Sequence, residues 1–356
     1  MLKARKCIRE MREYHSPLGN DPIDLRLDMN ENTTGCSPRV LAKLSSLDSK
    51  TLALYATREP GEKLVAESLS VDPSQLLLTN GADEGIDLLC RAYLDADDEI
   101  IVIVPAFAMY EVFAQTAGAK VVRVPTDPEF KFPCARVLQA ISPRTRAVVI
   151  TNPNNPTGVA VSRADILQVL EAAPEAAVLL DEAYFDFYGQ TMLDQVEKIP
   201  NLFVARTFSK AYGLAGLRLG VLAGAAEQIS VLRRMCPPFN VNVVALECLA
   251  EALADRQSVA DYVRQVKTTR GWLKQQLESM GLKCWPSETN FLLCEFGPRK
   301  GALLGALRAR GISLRDHPDC DTCVRISIGK QEEMERVLAA LKRALAELPA
   351  AKQVAR

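Results

Sequence analysis

One lysine of this 356-residue chain lies in a segment that carries the other groups a covalent cofactor site needs. The segment reads TFSKAYGLAGLR over residues 207–218, and it places Lys210 directly after Ser209 and eight residues before Arg218. A primary amine forms an imine with an aldehyde, while a hydroxyl and a guanidinium supply fixed donors for a phosphate. Pyridoxal phosphate combines an aldehyde with a phosphate, so the segment predicts a site for that cofactor.

A carboxylate and a tyrosine follow a second apolar run. Asp181 ends the run AAVLLD, and Tyr184 comes three residues later. A buried carboxylate pairs with the protonated pyridine nitrogen of such a cofactor, and a tyrosine donates to its ring oxygen. An aspartate at this place is, taken alone, more often a helix cap.

Two more turns each come after a strand-like run. Residues 151–158 read TNPNNPTG, and their side-chain amides suit a ligand, although alone they read as a loop. Residues 76–89 pass from a strand to a glycine turn and then to an amphipathic helix. The corner at Gly81, Ala82 and Asp83 offers backbone N–H groups at a helix N-terminus, where anions bind. The four features together indicate a pyridoxal phosphate site.

These motifs resemble those of the fold-type I pyridoxal phosphate enzymes, and within them the histidinol-phosphate aminotransferases. The lysine segment and the asparagine–proline loop are specific for the superfamily. The opening LDMNEN at residues 27–32 and the run DEGID at residues 83–87 are similar to motifs of the narrower family, and the strand CVRISIG at residues 323–329 completes the match. The resemblance implies an α/β fold, with a mostly parallel sheet sandwiched by helices and a second, smaller α+β domain.

The resemblance also implies a role for each cofactor residue. Lys210 would hold the cofactor covalently and would then move a proton between the substrate's α-carbon and the cofactor. The other implied cofactor-binding residues are Gly81, Ala82, Asp83, Ser209 and Arg218 around the phosphate, Asp181 at the pyridine nitrogen, Asn155 and Tyr184 at the phenolate oxygen, Tyr110 against the ring, and Tyr55 from a neighbouring subunit.

Three residues are implied for substrate binding. Arg325 would take the α-carboxylate, Arg315 would take a substrate phosphate, and Asn30 would lie beside the substrate. An arginine suits these tasks because its planar fork makes two parallel charged hydrogen bonds. Without the resemblance, we would interpret Arg315 and Arg325 as solvent-exposed charged residues on short strands.

The activity implied by the resemblance is transamination of histidinol phosphate in a cytoplasmic homodimer, with 2-oxoglutarate and glutamate as the shared pair. One departure from the family pattern keeps alternatives open. The family opening continues with proline, an aromatic residue and glycine, whereas this chain has Thr33, Thr34 and Gly35. The aromatic position belongs to the family's substrate pocket. An aromatic amino-acid aminotransferase is therefore the second interpretation, followed by a related decarboxylase such as the threonine-phosphate enzyme.

A non-catalytic regulator built on the same fold belongs to a different class. Such regulators carry an N-terminal DNA-binding domain, whereas about 25 residues precede the LDMNEN motif. The retained Lys210 and Asp181 also favour catalysis. The 43 Lys and Arg residues balance 44 Asp and Glu residues, so the net charge does not indicate nucleic acid or an acidic membrane surface as a partner.

Ten cysteines are scattered along the chain, and we expect most of them to be reduced thiols. The pair Cys320 and Cys323, close to His317, could bind zinc or form a redox pair. No second ligand pair follows, and His15 is the other histidine, so we favour a polar loop that leads to Arg325 and expect no metal. Apolar runs are shorter than the roughly 18 residues of a membrane span, and the first residues lack the apolar core of a signal peptide.

The elements that position these residues alternate between strand and helix. Strands are predicted at residues 75–78, 99–104, 120–124, 147–151, 177–181, 202–206 and 217–222, with helices such as 85–93 and 163–171 between them. This alternation is typical of a mostly parallel sheet covered by helices on both faces, which binds ligands at its strand ends.

After residue 238 the pattern changes. A long helix is predicted at residues 243–280, followed by strands at 290–296, 312–315 and 324–328 and a closing amphipathic helix at 332–348. The sequence therefore predicts an N-terminal arm at residues 1–35 that packs with the small domain. It also predicts a large cofactor-binding domain at 36–238 and a small domain at 239–356.

Overall fold

The structure is a computed structural model, and it describes residues 2–11, 23–317 and 319–348. Two β-sheets organise these residues. The strands are β1 (Leu25–Leu27), β2 (Leu76–Asn80), β3 (Glu99–Val104), β4 (Lys120–Pro125), β5 (Thr145–Thr151), β6 (Ala177–Asp181), β7 (Leu202–Thr207), β8 (Leu219–Gly224), β9 (Phe291–Glu295), β10 (Ile312–Asp316) and β11 (Cys323–Ser327).

The described residues also form fourteen α-helices. They are α1 (Lys6–Glu10), α2 (Pro38–Ser45), α3 (Ser49–Ala53), α4 (Glu59–Leu69), α5 (Gly81–Tyr93), α6 (Met109–Ala117), α7 (Cys134–Ala140), α8 (Arg163–Ala172), α9 (Phe185–Tyr188), α10 (Ala226–Arg233), α11 (Val243–Ala254), α12 (Arg256–Ser279), α13 (Lys300–Arg308) and α14 (Gln331–Glu347).

The larger sheet has seven strands in the order β2-β8-β7-β6-β5-β3-β4. Its five strands from β4 to β7 pair in parallel, and β8 pairs antiparallel with both β7 and β2. Every residue of β3 and β6 is buried, because α5, α6 and α10 cover one face of the sheet and α7 and α8 cover the other. Continuous apolar runs are typical of such doubly covered parallel strands. The predicted α/β class is thus confirmed.

The smaller sheet has four strands in the order β1-β10-β11-β9. β1 runs parallel to β10, while β10–β11 and β11–β9 are antiparallel. Helix α14 packs Met334, Val337 and Leu341 into the core of this part of the molecule, on the face that the sequence pattern indicates. The predicted arm thus contributes its strand β1 to the small sheet. The domain limits at residues 35 and 238 remain predictions.

Two element predictions need correction. The helix predicted at residues 243–280 is two helices, since Asp255 leaves the helical conformation (φ −94°, ψ 60°) and caps α12 by accepting from the Ser258 backbone N–H at 3.2 Å. The strand predicted from Leu217 begins at Leu219. A 3₁₀ turn ends at Leu217, and Arg218 follows it in the left-handed region at φ 54°, so neither residue extends the strand.

One pair of cysteines is an exception to the expectation that most cysteines are reduced thiols. A disulfide joins Cys320, in the loop between β10 and β11, to Cys323, the first residue of β11, while the other eight cysteines are free. Within the described ranges, no cluster of three or more His, Cys, Asp or Glu side chains is arranged to hold a metal ion. No helix in the described part of the chain combines the length and apolarity needed to cross a bilayer.

Candidate active site

A cavity of about 1130 Å³ lies where the parallel strands of the large sheet end. Because carboxyl ends of parallel strands meet at one edge, residues that follow different strands converge there. The cavity is lined by twelve of the predicted site residues, namely Asn30, Ala82, Asp83, Tyr110, Asn155, Asp181, Tyr184, Ser209, Lys210, Arg218, Arg315 and Arg325. Gly81 immediately precedes Ala82 at the start of α5.

Lys210 lies in the loop after β7, and its Nζ donates to the backbone carbonyl of Met29 at 3.0 Å. Burial, together with the positive charge of Arg325, lowers the pKa of Lys210 from its usual value to about 8. An amine with this pKa has a substantial neutral fraction near pH 7–8, and the neutral form is the nucleophile that attacks an aldehyde.

The corner between β8 and α5 is kept open by glycines. Gly81 has φ +75°, and a Cβ there would lie 2.3 Å from the Arg218 guanidinium. A Cβ on Gly220 would lie 2.4 Å from the backbone nitrogen of Ala82. The first N–H groups of a helix lack intrahelical partners and attract anions. Together with Arg218, which donates to Asp83 at 2.9 Å, this cradle fits a phosphate group.

Asp181 is the buried carboxylate at the base of the cavity. The Tyr110 hydroxyl donates to its Oδ2 at 2.5 Å, and the Ala183 N–H donates to its Oδ1 at 2.9 Å. Burial raises the pKa of Asp181, so a cationic partner would stabilise its ionised form. The protonated ring nitrogen of pyridoxal phosphate is such a partner, and the residues present therefore fit this cofactor.

Thr151 is part of the same group, although the sequence did not single it out. It ends β5 directly opposite Asp181 in the parallel register, and its Oγ1 lies 2.9 Å from the Tyr110 hydroxyl. Burial raises the pKa of Tyr110 well above its usual value, and the nearby Asp181 adds to this effect. The sequence signal that could have identified Thr151 as a site residue is its position at the end of β5, the strand next to β6.

Asn30 and Tyr184 meet on the small-sheet side of the cavity. The Asn30 side-chain amide donates to the Tyr184 hydroxyl at 2.8 Å. Asn30 is itself held by its backbone N–H, which donates to the Ser327 hydroxyl at 2.9 Å, and by its carbonyl, which accepts from Asn290 at 3.0 Å. Burial raises the pKa of Tyr184 to about 12, so the phenol stays protonated and can donate to a ligand oxygen.

Arg315 and Arg325 lie directly opposite each other on the antiparallel strands β10 and β11. Residues paired in this way project to the same face of a sheet, and both line the cavity. The Arg325 guanidinium donates to the Asn155 side chain and to the Asp28 carbonyl. Because like charges directly opposite each other repel, this pair is well suited to an anion bound between them.

The cavity lining also includes charged residues and a histidine to which the sequence motifs gave no role in the site. Arg123 pairs with Asp319 at 2.5 Å and with Glu111 at 3.6 Å. His317 lies beside them, and burial together with Arg325 lowers the pKa of its imidazole to about 4. His317 is therefore neutral at physiological pH. These residues come from α6, β4 and the loop after β10, so only the folded chain brings them together.

Tyr55 is the one predicted site residue that lies away from the cavity of its own chain. Its side chain is 84% exposed, and its ring stacks on Phe239 with 4.6 Å between ring centroids. The prediction that Tyr55 reaches the cofactor of a neighbouring subunit is not tested by a single chain.

The threonines that depart from the family pattern are also outside the cavity. Thr33 donates to Glu333 of α14 at 2.6 Å, and Thr34 is an exposed residue whose hydroxyl lies 3.4 Å from the Gln265 side chain of α12. Their side chains contact helices of the small domain.

Comparison with known proteins agrees with this geometry. Residues 22–341 match the family model described as aminotransferase class I and II. A histidinol-phosphate aminotransferase from Dehalococcoides mccartyi is 36% identical over 321 residues, which cover 89% of each chain.

Two solved structures share the fold. The histidinol-phosphate aminotransferase from Sinorhizobium meliloti, solved in complex with pyridoxal-5'-phosphate, has a TM-score of 0.90 at 22% identity and covers 98% of this chain and 99% of its own. The L-threonine-O-3-phosphate decarboxylase from Porphyromonas gingivalis has a TM-score of 0.78 at 21% identity, covering 91% of this chain and 100% of its own. The chain belongs to the class I and II aminotransferases and, within them, to the histidinol-phosphate aminotransferase family.

Proposed function

We propose that this chain is a pyridoxal phosphate-dependent aminotransferase that transfers the amino group of histidinol phosphate to 2-oxoglutarate. The observation that carries the proposal is that one cavity combines the Lys210 amine, the buried Asp181 carboxylate and the opposed Arg315 and Arg325. The family membership and the 36% identical relative support the same substrate.

The cofactor would be held by residues from both sheets. Its phosphate would occupy the glycine-lined corner with Ser209 and Arg218, its ring nitrogen would pair with Asp181, and Asn155 and Tyr184 would hold its ring oxygen. Tyr110 would lie against the ring. When bound, pyridoxal phosphate supplies an electron-withdrawing ring that makes the substrate's α-proton acidic.

Lys210 would move that proton. A pKa of about 8 leaves enough neutral amine at neutral pH for its Nζ to accept the α-proton and to return it one position away. The Met29 carbonyl, which accepts from Nζ at 3.0 Å, orients the amine on the cavity side of the loop. The burial of Asp181 excludes water from its carboxylate, which strengthens its interaction with a cationic ring nitrogen.

The arginine pair would bind both substrates of the reaction in turn. Glutamate and 2-oxoglutarate carry an α-carboxylate, and histidinol phosphate carries a phosphate. We assign the carboxylate to Arg325 and the phosphate to Arg315, with Asn30 beside the substrate. A planar guanidinium binds either anion through two parallel hydrogen bonds, so one pair of side chains serves both half-reactions.

The active assembly would be a cytoplasmic homodimer in which Tyr55 completes the phosphate site of the other subunit. In support, Leu52, Leu54 and Tyr55 are exposed apolar residues close together in the sequence, and the Tyr55 ring stacks on Phe239, which is 46% exposed. Clustered exposed apolar side chains mark interaction surfaces. We also propose the division into an arm at 1–35, a large domain at 36–238 and a small domain at 239–356, in line with the two sheets.

A panel of half-reactions tests the substrate. Loss of the absorbance of the covalently bound cofactor would be followed after addition of histidinol phosphate, glutamate, phenylalanine, tyrosine or threonine phosphate. We expect histidinol phosphate and glutamate to react fastest. Because Thr34 replaces a family aromatic residue, an aromatic aminotransferase is the second candidate, and a preference for phenylalanine or tyrosine would favour it. Release of carbon dioxide from threonine phosphate would favour the decarboxylase.

A further inference from the structure

The loop of residues 319–323 carries the Cys320–Cys323 disulfide at the edge of the cavity. Cys323 begins β11 two residues before Arg325, so both side chains lie on the same face of the small sheet. Asp319, the neighbour of Cys320, lines the cavity. The disulfide therefore ties a cavity-lining segment to the strand that carries Arg325.

The two sulfurs lie in different surroundings. Cys320 is partly exposed, whereas Cys323 is buried and belongs to a small apolar cluster with Trp285 and Leu293. Thiol–disulfide exchange requires that the attacking thiolate reach one sulfur along the S–S axis. Solvent access therefore directs the attack to Cys320 and makes Cys323 the leaving sulfur.

Hydrogen bonds and ion pairs near the disulfide fix the part of the cavity lining formed by Arg123, His317 and Asp319, which we call the wall. Asp319 accepts from Arg123 at 2.5 Å, and its N–H donates to His317 Nδ1 at 3.3 Å. Lys300 donates to the Cys320 carbonyl at 3.1 Å and pairs with Asp316 at 2.7 Å. Residues on both sides of the disulfide thus position the wall next to Arg315 and Arg325.

We propose that Cys320 and Cys323 are a redox modification site through which a dithiol reductant weakens the binding of the phosphate-bearing substrate. The choice of substrate rests on the proposed function. A thiolate of the reductant attacks Sγ of Cys320, the S–S bond breaks, and Cys323 leaves as a thiolate that takes up a proton. The second thiol of the reductant then releases Cys320. The reductant becomes a disulfide, and two electrons pass to the cysteine pair.

Reduction removes the covalent tether between the 319–323 loop and β11. The wall then loses preorganisation, and more conformational freedom must be lost when substrate binds. We expect reduction to raise KM for histidinol phosphate on the order of threefold to tenfold. We expect little change in kcat, because Asp181 ends β6 and Lys210 follows β7 in the large sheet, whereas the disulfide joins residues next to strands of the small sheet.

Alkylation tests the cysteine pair without any reading of activity. Full-length holoenzyme purified without reductant would be divided into a sample left untreated and a sample exposed to dithiothreitol. Each would then be unfolded in guanidinium chloride containing iodoacetamide, so that buried thiols are labelled as well as exposed ones. Mass spectrometry would then count labels on the peptide containing residues 320 and 323. We expect none before reduction and two after it. Two labels before reduction would overturn the proposal.

Kinetics test the link to substrate. KM and kcat would be compared for oxidised wild type, dithiothreitol-reduced wild type, and a Cys320→Ser variant. Cys134→Ser is the matched control, since Cys134 is also partly exposed and is a free thiol. We expect Cys320→Ser to show the raised KM and no response to dithiothreitol, while Cys134→Ser keeps the response of wild type. An unchanged KM in wild type whose reduction is verified by labelling would overturn the proposal, whether or not the variant folds.

The outcome is separable from that of the proposed function. An enzyme that does not accept histidinol phosphate contradicts the proposed function through the half-reaction panel, while the label count still reports on the cysteine pair. The same KM comparison is then made with the donor that the panel identifies, and the absence of a shift there contradicts the redox link.

Discussion

At the scale of single residues, Lys210 is the position at which the proposed chemistry is most directly testable. An imine requires a primary amine, and Lys210 is the lysine that lines the cavity with Asp181. We expect Lys210→Ala to abolish transamination and the absorbance of the covalently bound cofactor while the circular dichroism spectrum stays unchanged. Lys267→Ala, at an exposed position of α12, is the matched control. Normal turnover in Lys210→Ala would contradict the assignment.

The lowered pKa of Lys210 gives a second prediction. Covalent attachment of the cofactor to apoprotein requires the neutral amine, so its rate should rise about tenfold per pH unit below pH 8 and level off above it. Arg325 contributes to the lowering of this pKa. Arg325→Gln should therefore move the midpoint to higher pH, whereas Arg315→Gln should leave it in place. Stopped-flow absorbance across pH 6–10 measures the midpoint, and identical profiles for wild type and Arg325→Gln would refute the coupling.

Arg315 provides a prediction about substrate choice. Removing one partner of a buried charge pair typically costs about 2 to 5 kcal/mol, and each 1.4 kcal/mol corresponds to about tenfold in kcat/KM. Arg315→Ala should therefore lower kcat/KM for histidinol phosphate by a factor of several tens or more, because the substrate phosphate loses the two hydrogen bonds from the Arg315 guanidinium. It should spare phenylalanine and tyrosine, which carry no phosphate. An equal loss for all donors would show that Arg315 has another role.

At the scale of elements, the close approach of β8 to α5 makes the phosphate corner. A Cβ on Gly220 would lie 2.4 Å from the Ala82 nitrogen, so Gly220→Ala should push the helix start away and weaken cofactor retention by at least about tenfold. Gly216→Ala is the matched control, since a Cβ there meets open space. Absorbance titration of apoprotein with pyridoxal phosphate gives both dissociation constants. Equal values would mean that this corner does not hold the phosphate.

Sequence patterns predicted the elements well where local chemistry decides the structure. Continuous apolar runs marked β3 and β6. The four motifs, together with the resemblance to the histidinol-phosphate aminotransferases, predicted twelve residues that line one cavity. The patterns failed at Asp255, where an aspartate divides an otherwise continuous helical pattern by capping α12. They gave Thr151 and His317 no role in the site, because strand register places Thr151 opposite Asp181 and only the folded chain brings His317 into the cavity lining.

At the scale of the whole molecule, the proposed contribution of Tyr55 to the active site of the other subunit makes a prediction about mixed dimers. Lys210→Ala lacks the amine, and Tyr55→Ala lacks the phosphate contact that the proposal assigns to the other subunit. A mixed dimer would contain one site with both residues intact. Random mixing of two weakly active variants should then restore about a quarter of wild-type activity, with a dimer observed by light scattering. Activity that never exceeds the sum of the separate variants would contradict the shared site.

The position of Asn30 has a consequence for the order in which the chain acquires its structure. Its backbone N–H is held by Ser327, a residue 297 positions later in the sequence, and the neighbouring Met29 carbonyl accepts from Lys210. During synthesis on the ribosome, the strands of the large sheet emerge long before Ser327. Contacts of such high sequence separation form late. Strand β1, which precedes Met29, pairs with β10, so the nascent chain carries Lys210 before its carbonyl partner is fixed in place. The site becomes complete only after residue 327 has been synthesised.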